Sequence, residues 1–186
     1  MIVHNLDPVL VDIGFFQIRW YSIAYIIGII LGWFYAVKII RNNNDLVVIN
    51  QTNLEELFIY LIFGIIFGGR LGYVLFYDLE HYSQNLIEIL KIWNGGMSFH
   101  GGLLGIIIST LIFAKINKSN FLNFTDIIAC VAPIGIFLGR IANFINGELV
   151  GKASSLPWSI IFPMVDSIPR HPSQIYEAIL EGIVLF

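Results

Sequence analysis

Charged residues are scarce in this sequence, and the scarcity argues against a soluble protein. Only 12% of the 186 residues are Asp, Glu, Lys or Arg, and 57% are hydrophobic, whereas soluble domains contain about 25% charged residues. The mean hydropathy is correspondingly high, at +0.79. The net charge of −3 is opposite in sign to the basic surface of a nucleic-acid-binding protein. The composition therefore predicts an integral membrane protein with no nucleic-acid partner.

Cysteine is almost absent as well. Cys130 is the only one, which excludes an intramolecular disulfide and a metal site built from several cysteines. Its place inside an apolar run predicts a buried, small hydrophobic residue. His100, His171 and Glu148 do not have the HxxxH or HExxH spacing of a metal site. We therefore expect neither a metal nor a cofactor.

The first 19 residues lack the basic start and the small-residue cleavage site of a secretory signal peptide. They mix apolar residues with Asp7, Asp12 and Arg19. We interpret residues 1–19 as an interfacial arm that lies on the membrane surface.

Long apolar runs are abundant, and a helix that crosses a bilayer needs about 20 mostly apolar residues. The candidate spans cover residues 20–40, 54–76, 97–113 and 126–145. A fifth apolar segment begins after Pro172. From Ile175 to the end of the chain it would form about 18 Å of helix, short of the roughly 30 Å hydrocarbon layer. We predict an all-α integral membrane protein, a multi-pass helical bundle in one membrane domain (residues 1–186) with four complete transmembrane helices and a truncated fifth.

Basic residues at the loop ends indicate an orientation. Lys38 and Arg41 flank the first loop, and Lys115 and Lys118 flank the third. Lys and Arg mark the cytoplasmic side of a membrane protein. The N-terminus, the second loop and the loop region 147–171 are therefore expected to face outward.

Each of the four spans contains two glycines that are four residues apart. Such pairs let helix backbones approach closely in lipid, so they predict a tight bundle. The pairs are Gly28/Gly32, Gly64/Gly68, Gly101/Gly105 and Gly135/Gly139.

The end of the fourth span is unexpectedly polar. Arg140 and Asn143 share a helix face at i and i+3, Gly147 predicts the end of the helix, and Glu148 follows within reach of Arg140 or Arg70. An Arg near the centre of a membrane helix costs about 2.5–3.5 kcal/mol, so a polar group must meet it. Arginine suits the bidentate binding of a phosphate. A buried Arg–Glu pair that only locks helices together is the alternative.

Two more polar groups stand at the ends of spans. Arg70, Tyr73 and Tyr77 lie along one stripe of the second span at i, i+3 and i+7, and either line a site or form an interfacial tyrosine belt with a snorkelling arginine. His100 stands among glycines at the start of the third span. Its imidazole suits proton transfer near neutral pH, or a structural hydrogen bond to a neighbouring helix.

The segment 169–177 is the last polar cluster. Pro172 can begin a helix, in which Gln174, Glu177 and Glu181 would line one stripe. Carboxylates in a membrane helix need a partner, and the arginines are the available cations.

Together these residues fall into blocks that resemble the bacterial prolipoprotein diacylglyceryl transferase family. The blocks follow one another in the order found in that family. They are Trp20-Tyr21, Gly68-Gly69-Arg70-Leu71-Gly72-Tyr73, Gly95-Gly96-Met97-Ser98-Phe99-His100-Gly101-Gly102, Gly139-Arg140-x-x-Asn143-Phe144-x-Asn146-Gly147-Glu148-x-x-Gly151 and Arg170-His171-Pro172-Ser173-Gln174-Ile175-Tyr176-Glu177.

The resemblance implies a multi-pass transferase of the bacterial inner membrane, with its active site facing the outer leaflet. Its substrates would be phosphatidylglycerol and a prolipoprotein, whose lipobox cysteine thiol receives the diacylglyceryl group as a thioether. His100 matches the histidine proposed to take the thiol proton, and Arg140 an essential arginine that holds the lipid phosphate. Glu148 is the third expected catalytic residue, and Glu148 or a tyrosinate is a rival base. The substrate-binding residues that we expect are Tyr21, Arg70, Tyr73, Tyr77, Asn143, Asn146, Gly151, His171, Gln174 and Glu177.

The sequence departs from the family in one respect. Family members continue through further helices that carry a second essential arginine and another glutamate. One alternative is therefore a catalytically inactive, C-terminally truncated fragment of the enzyme. Another is a small proton-coupled transporter that uses His100 and Glu177 as a relay.

Overall fold

The computed structural model describes residues 2–14, 17–42, 51–92 and 95–186. Four of its helices are long and apolar enough to cross a membrane, so the predicted all-α multi-pass fold is confirmed. In chain order the helices are α1 (Trp20–Asn42), α2 (Gln51–Phe76), α3 (Leu79–Gln84), α4 (Phe99–Ile116), α5 (Phe121–Asn146) and α6 (Ser173–Glu177). A 3-10 turn spans Leu86–Leu90, and α6 continues as a π-helix over Ala178–Val184.

Within the described ranges, five short strands accompany the helices. They are β1 (Ile2–Val3), β2 (Val9–Asp12), β3 (Gln17–Arg19), β4 (Ile160–Ile161) and β5 (Pro169–Arg170). β1 pairs in parallel with β4, which pairs antiparallel with β5. β2 and β3 form an antiparallel hairpin directly before α1. The sequence did not predict these strands, because segments of two to four residues are too short to show a periodic pattern.

The chain divides into two compact units, which are described separately. The first contains Met1–Ala36 and Ile128–Phe186, and the second contains Val37–Ile127. The second unit therefore holds α2, α3 and α4. The first holds the strands, α6 and the π-helix, together with most of α1 and α5.

In the second unit, α2 and α4 pack backbone against backbone. A Cβ added to Gly105 would overlap the carbonyl oxygen of Gly64, and a Cβ added to Gly101 would overlap that of Gly68. Helices in lipid approach this closely where both surfaces lack side chains. The packing role predicted for these two glycine pairs is confirmed.

In the first unit, two chain breakers delimit the helices that carry polar residues. Gly147 has a φ of +67° directly after α5, the left-handed conformation that commonly ends a helix. Pro172 precedes α6 with a φ of −75°, a value that its ring imposes and that suits the start of a helix. The predicted end of the fourth span and the predicted helix after Pro172 are both confirmed.

The prediction that Cys130 is buried is wrong. Its side chain is exposed on α5. In a membrane protein an apolar residue can face lipid as well as protein, because lipid tails are as apolar as leucine. An apolar run therefore does not identify the side of the helix that packs against protein.

The variant Gly105→Ala is expected to destabilise the packing of α2 on α4. The new methyl group would overlap the Gly64 carbonyl, and both contact atoms belong to backbone, so the helices must separate. Overpacking of this kind costs about 1–3 kcal/mol. Unfolding of the detergent-solubilised protein by heat or denaturant measures the loss.

Gly135→Ala is the matched control. Gly135 also lies inside a spanning helix, but a Cβ there would meet nothing within 4 Å. Because alanine has the higher helix propensity, this variant should be neutral or slightly more stable. An equal loss of stability in both variants would contradict the close packing of α2 and α4.

Candidate functional site

Arg140 on α5 forms ion pairs with two carboxylates that follow Pro172. Nη1 lies 3.0 Å from Oε2 of Glu177, while Nε and Nη2 lie 3.3 and 3.2 Å from Oε2 of Glu181. The Arg140 side chain is 29% exposed. The stripe of carboxylates predicted after Pro172 therefore does meet an arginine, which joins α5 to α6 and the π-helix.

Glu148 is bound by amides. Its Oε1 accepts hydrogen bonds from Nδ2 of Asn143 at 2.8 Å and of Asn146 at 3.4 Å. Asn143 is buried, and the same Nδ2 donates to the hydroxyl of Tyr21 at 3.3 Å, which ties α1 to α5. The ion pair with Arg140 that the sequence suggested for Glu148 is not formed, because Glu177 and Glu181 occupy that guanidinium.

Two side chains of α6 hold the turn that carries Glu148. Gln174 is fully buried and donates from Nε2 to the carbonyl of Glu148 at 2.5 Å. The Ser173 hydroxyl donates to the carbonyl of Leu149 at 2.8 Å. Leu149 has a φ of +53°, a conformation that costs energy for a residue with a side chain. These bonds stabilise the backbone on which the Glu148 carboxylate stands.

His171 belongs to a second network with two residues that the sequence analysis missed. Trp158 Nε1 donates to the hydroxyl of Tyr176 at 2.7 Å, and His171 Nδ1 lies 3.2 Å from that hydroxyl. The indole N–H can only donate, and the tautomer of His171 decides whether Nδ1 donates to the Tyr176 hydroxyl or accepts from it. Tyr176 stood in a recognised block, but nothing in the spacing of Trp158 indicated this contact.

Gly151 and Arg170 organise the loop around His171. A Cβ on Gly151 would lie 2.7 Å from the His171 carbonyl oxygen, so the position requires glycine. Arg170 donates from Nη1 to the Gly151 carbonyl at 3.1 Å and pairs with Asp166, whose Oδ2 is 2.5 Å from Nη2. The hydrogen bonds that Arg170 donates to the Asp166 carboxylate hold the pKa of Asp166 below its usual value of 3.8.

The second unit carries the other predicted site residues. The rings of Tyr73 and Tyr77 stack with centroids 5.5 Å apart. His100 is exposed in the first turn of α4. Its ring contacts Phe99 and has no hydrogen-bond partner in the described parts of the chain. Arg70 is only 4% exposed and donates to backbone carbonyls.

The candidate residues therefore fall into two sets. Arg70, Tyr73, Tyr77 and His100 lie in the second unit, and all the others lie in the first. Among residues 2–14, 17–42, 51–92 and 95–186, no group of three His, Cys, Asp or Glu side chains is placed to hold a metal ion.

The described residues form four helices able to span a membrane, with Arg140 paired to two glutamates. Among these residues His100 has no hydrogen-bond partner. The protein is therefore a multi-pass membrane protein with ionisable groups on its spans. The family model for prolipoprotein diacylglyceryl transferase matches residues 8–186. With relatives of the same name more than half identical along nearly all its length, the chain belongs to the prolipoprotein diacylglyceryl transferase family.

Curated relatives agree with the family match. A protein of Rickettsia canadensis (strain McKiel) is 57% identical over 186 residues, which are 100% of this chain and 71% of the relative. One of Rickettsia felis is 54% identical over 182 residues, 98% of this chain and 70% of the relative. One of Rickettsia typhi is 55% identical over 186 residues, with coverage of 100% and 71%. Each relative is named phosphatidylglycerol–prolipoprotein diacylglyceryl transferase.

The loop around His171 is expected to depend on the charge of Asp166. Because the pKa of Asp166 is lowered in the folded protein, the ion pair stabilises the loop above about pH 3.8 and is lost as the pH falls through the lowered value. Asp166→Asn should therefore loosen the loop at neutral pH. Faster hydrogen exchange at the amides of Ser154 and His171, which bond across the loop, measures this.

In acid, where Asp166 is protonated, Asp166→Asn and the wild type should show the same hydrogen exchange. Exchange in Asp166→Asn and in the wild type is compared at each pH, so that the intrinsic pH dependence of exchange cancels. Glu80→Gln, which neutralises an exposed carboxylate in α3, is the control. Equal protection of both amides in Asp166→Asn and the wild type at pH 7 would show that the pair does not hold the loop.

Proposed function

We propose that this chain transfers the diacylglyceryl group of phosphatidylglycerol to the lipobox cysteine thiol of a prolipoprotein. The observation that carries the proposal is the family match over residues 8–186, together with relatives of that name at 54–57% identity. The polar groups at the ends of the spanning helices supply the chemistry that such a reaction needs. The proposal requires no metal or cofactor.

The reaction exchanges one bond for another. The cysteine sulfur loses its proton and attacks the glyceryl carbon that carries the phosphate. A carbon–sulfur bond forms, the carbon–oxygen bond to the phosphate breaks, and glycerol phosphate leaves with the electron pair. A free thiol has a pKa near 8.5, and the thiolate is the nucleophile. The enzyme must therefore accept a proton and stabilise the negative charge on the leaving phosphate.

Arg140 is the residue that we assign to the phosphate. Its contact with Glu181 uses a single carboxylate oxygen for two donors, at 3.2 and 3.3 Å, whereas charge-assisted bonds of this type are normally about 2.7–2.9 Å. Glu181 is 43% exposed. A phosphate offers two oxygens to the Nε–Nη2 edge and can form two parallel bonds. In the proposed complex the phosphate therefore displaces Glu181, while Glu177 stays on Nη1.

His100 is the residue that we assign to the thiol proton. Its imidazole is exposed and has no hydrogen-bond partner among the described residues, so a nitrogen is free to accept a proton. Glu148 is less suited, because its Oε1 already accepts hydrogen bonds from two amides. We assign Glu148, Asn143 and Tyr21 to one hydrogen-bonded group that shapes the site.

The distribution of basic residues supports an orientation for the proposed enzyme. Lys38 and Arg41 lie in the last turns of α1, Lys115 lies in the last turn of α4, and Lys118 follows α4. Lys and Arg mark the cytoplasmic side. The N-terminus, the connection between α2 and α4 and the region 147–171 would then face outward. The site would open towards the outer leaflet of the bacterial inner membrane.

Transfer to a lipobox peptide tests the proposal directly. The purified full chain is mixed with phosphatidylglycerol and the peptide, and the thioether product is measured by mass spectrometry. His100→Gln should lower kcat by about 10²–10⁴-fold, the usual contribution of an acid–base residue. Arg140→Gln should lower kcat/KM by about 10²–10³-fold through lost stabilisation of the leaving phosphate.

Arg41→Gln is the matched control for loss of an arginine. Arg41 is exposed at the end of α1, where it bonds Gln51, and its loss should leave transfer unchanged. Circular dichroism and gel filtration establish that each variant is folded. A folded wild-type protein that forms no thioether would contradict the proposed function, and full activity in both His100→Gln and Arg140→Gln would contradict the assigned roles.

Glu181→Gln tests the displacement step separately. Removing the carboxylate that occupies the Nε–Nη2 edge should favour the phosphate, so KM for phosphatidylglycerol should fall. An exposed ion pair is worth about 0.2–1 kcal/mol, which corresponds to about a 1.4- to 5-fold change. Steady-state kinetics measures it, with Glu80→Gln as the control for a lost exposed carboxylate. A raised KM in Glu181→Gln would show that Glu181 assists lipid binding.

A further inference from the structure

Every N–H hydrogen of Arg70 has a backbone acceptor. The guanidinium carries five such hydrogens. Nε donates to the carbonyl of Ile89 at 2.9 Å. Nη1 donates to the carbonyls of Gly95 and Gly96 at 2.5 and 3.1 Å. Nη2 donates to the carbonyls of Glu88 and Lys91 at 2.6 and 3.4 Å. No donor is left for a substrate phosphate.

The charge of Arg70 is balanced without a carboxylate. In the described parts of the chain, no Asp or Glu side chain forms an ion pair with it. The Glu88 side chain instead pairs with His81 and Lys91. The ring of Tyr82 covers the guanidinium, with Cζ 4.9 Å from the ring centroid, a favourable cation–π contact. Arg70 therefore interacts with the connection between α2 and α4 through carbonyl dipoles and one aromatic face.

The chain next to these carbonyls leads directly into α4. Gly96 has a φ of +79°, and a Cβ there would lie 2.8 Å from Nη1 of Arg70. Two residues later, the Ser98 amide donates to the carbonyl of Gly69 at 2.8 Å. Ser98 is also the N-cap of α4, because its hydroxyl accepts from the Gly101 amide at 3.2 Å. Two consecutive residues of α2 thus hold both ends of the segment 95–98.

We infer that Arg70 is a positioning residue that sets the place of His100 by fixing the segment 95–98. His100 stands two residues after the N-cap, so its backbone position follows that of Ser98. The expected effect on catalysis rests on the proposed function, whereas the fixing of the segment 95–98 does not depend on that function. Arg70 in this role does not touch the substrate.

Kinetics separates this role from direct binding of the phosphate. A phosphate ligand contributes to lipid binding, so its loss would raise KM for phosphatidylglycerol. A positioning residue affects the alignment of the base, so its loss lowers kcat at nearly constant KM. Misplacement of a catalytic group by about 1 Å can cost about 10²-fold in rate. Arg70→Ala in the full chain should therefore lower kcat by about 10²-fold and change KM by less than about two-fold.

Two further measurements distinguish the loss of positioning from a general loss of folding. Added guanidinium ion should restore much of the kcat lost in Arg70→Ala, because it can refill the cavity and donate to the same carbonyls. Arg70→Lys should stay impaired, since one ammonium group has three donors and cannot reach five carbonyls. Glu88→Gln is the matched control: it changes the side chain but keeps the carbonyl, and should retain kcat.

Hydrogen exchange tests the positioning without any activity. Arg70→Ala should speed exchange of the Ser98 and Gly102 amides, and guanidinium should slow it again, while amides of α1 stay unchanged. If the wild type shows no transfer, the proposed function fails and this measurement still decides the role of Arg70. Unchanged exchange over 95–102 in Arg70→Ala, or a raised KM with unchanged kcat, would overturn the inference.

Discussion

A guanidinium on a membrane-spanning helix needs polar partners, and the two carboxylates that meet Arg140 organise the polar half of the first unit. Placing Arg140 in an apolar span costs about 2.5–3.5 kcal/mol without compensation. Glu177 and Glu181 provide it from α6 and the π-helix. Gly182, next to Glu181, lets the π-helix approach α5, because a Cβ there would lie 2.6 Å from Cβ of Phe137. The ion pairs and the close packing together fasten the chain after Pro172 to α5.

Arg70 and Arg140, on two of the spanning helices, show that the same type of side chain can have different functions. Arg70 is 4% exposed and all its donors are bound by fixed carbonyls, so it holds backbone in place. Arg140 is 29% exposed, and its contact with Glu181 is long and shares one oxygen. A loosely held edge can exchange one anion for another. A positioning arginine is therefore buried and has every donor bound, whereas a candidate phosphate ligand is partly exposed and has donors that a new anion can bind.

Much of the fold follows from the sequence, because length, apolar content and chain breakers act locally. The four spans lie close to their predicted bounds, and Gly147 and Pro172 mark the helix ends as expected. The glycine pairs of α2 and α4 pack as predicted because close approach in lipid demands small residues. The exposure of Cys130 was missed, since an apolar run does not distinguish lipid from protein contacts.

The partners of the polar residues could be predicted only in part. Helical spacing placed the two carboxylates after Pro172 on one stripe and suggested arginine as their partner. It could not show that Glu148 binds amides, because that contact depends on the turn after α5, which Gln174 holds from α6. It also gave no sign that Arg70 binds carbonyls. Any residue can supply a backbone carbonyl, so no sequence motif marks the acceptors of Arg70.

The central claim, that Arg140 receives the lipid phosphate, can be tested by solid-state NMR. The arginine nitrogens are labelled with 15N, and the full chain is placed in bilayers that contain phosphatidylglycerol. Arg140→Lys assigns the signal, and dipolar recoupling to the lipid phosphorus measures contact. We predict a direct coupling between phosphorus and the Arg140 guanidinium, with none to Arg70. Bound lipid whose phosphorus shows no coupling to Arg140 would contradict the account.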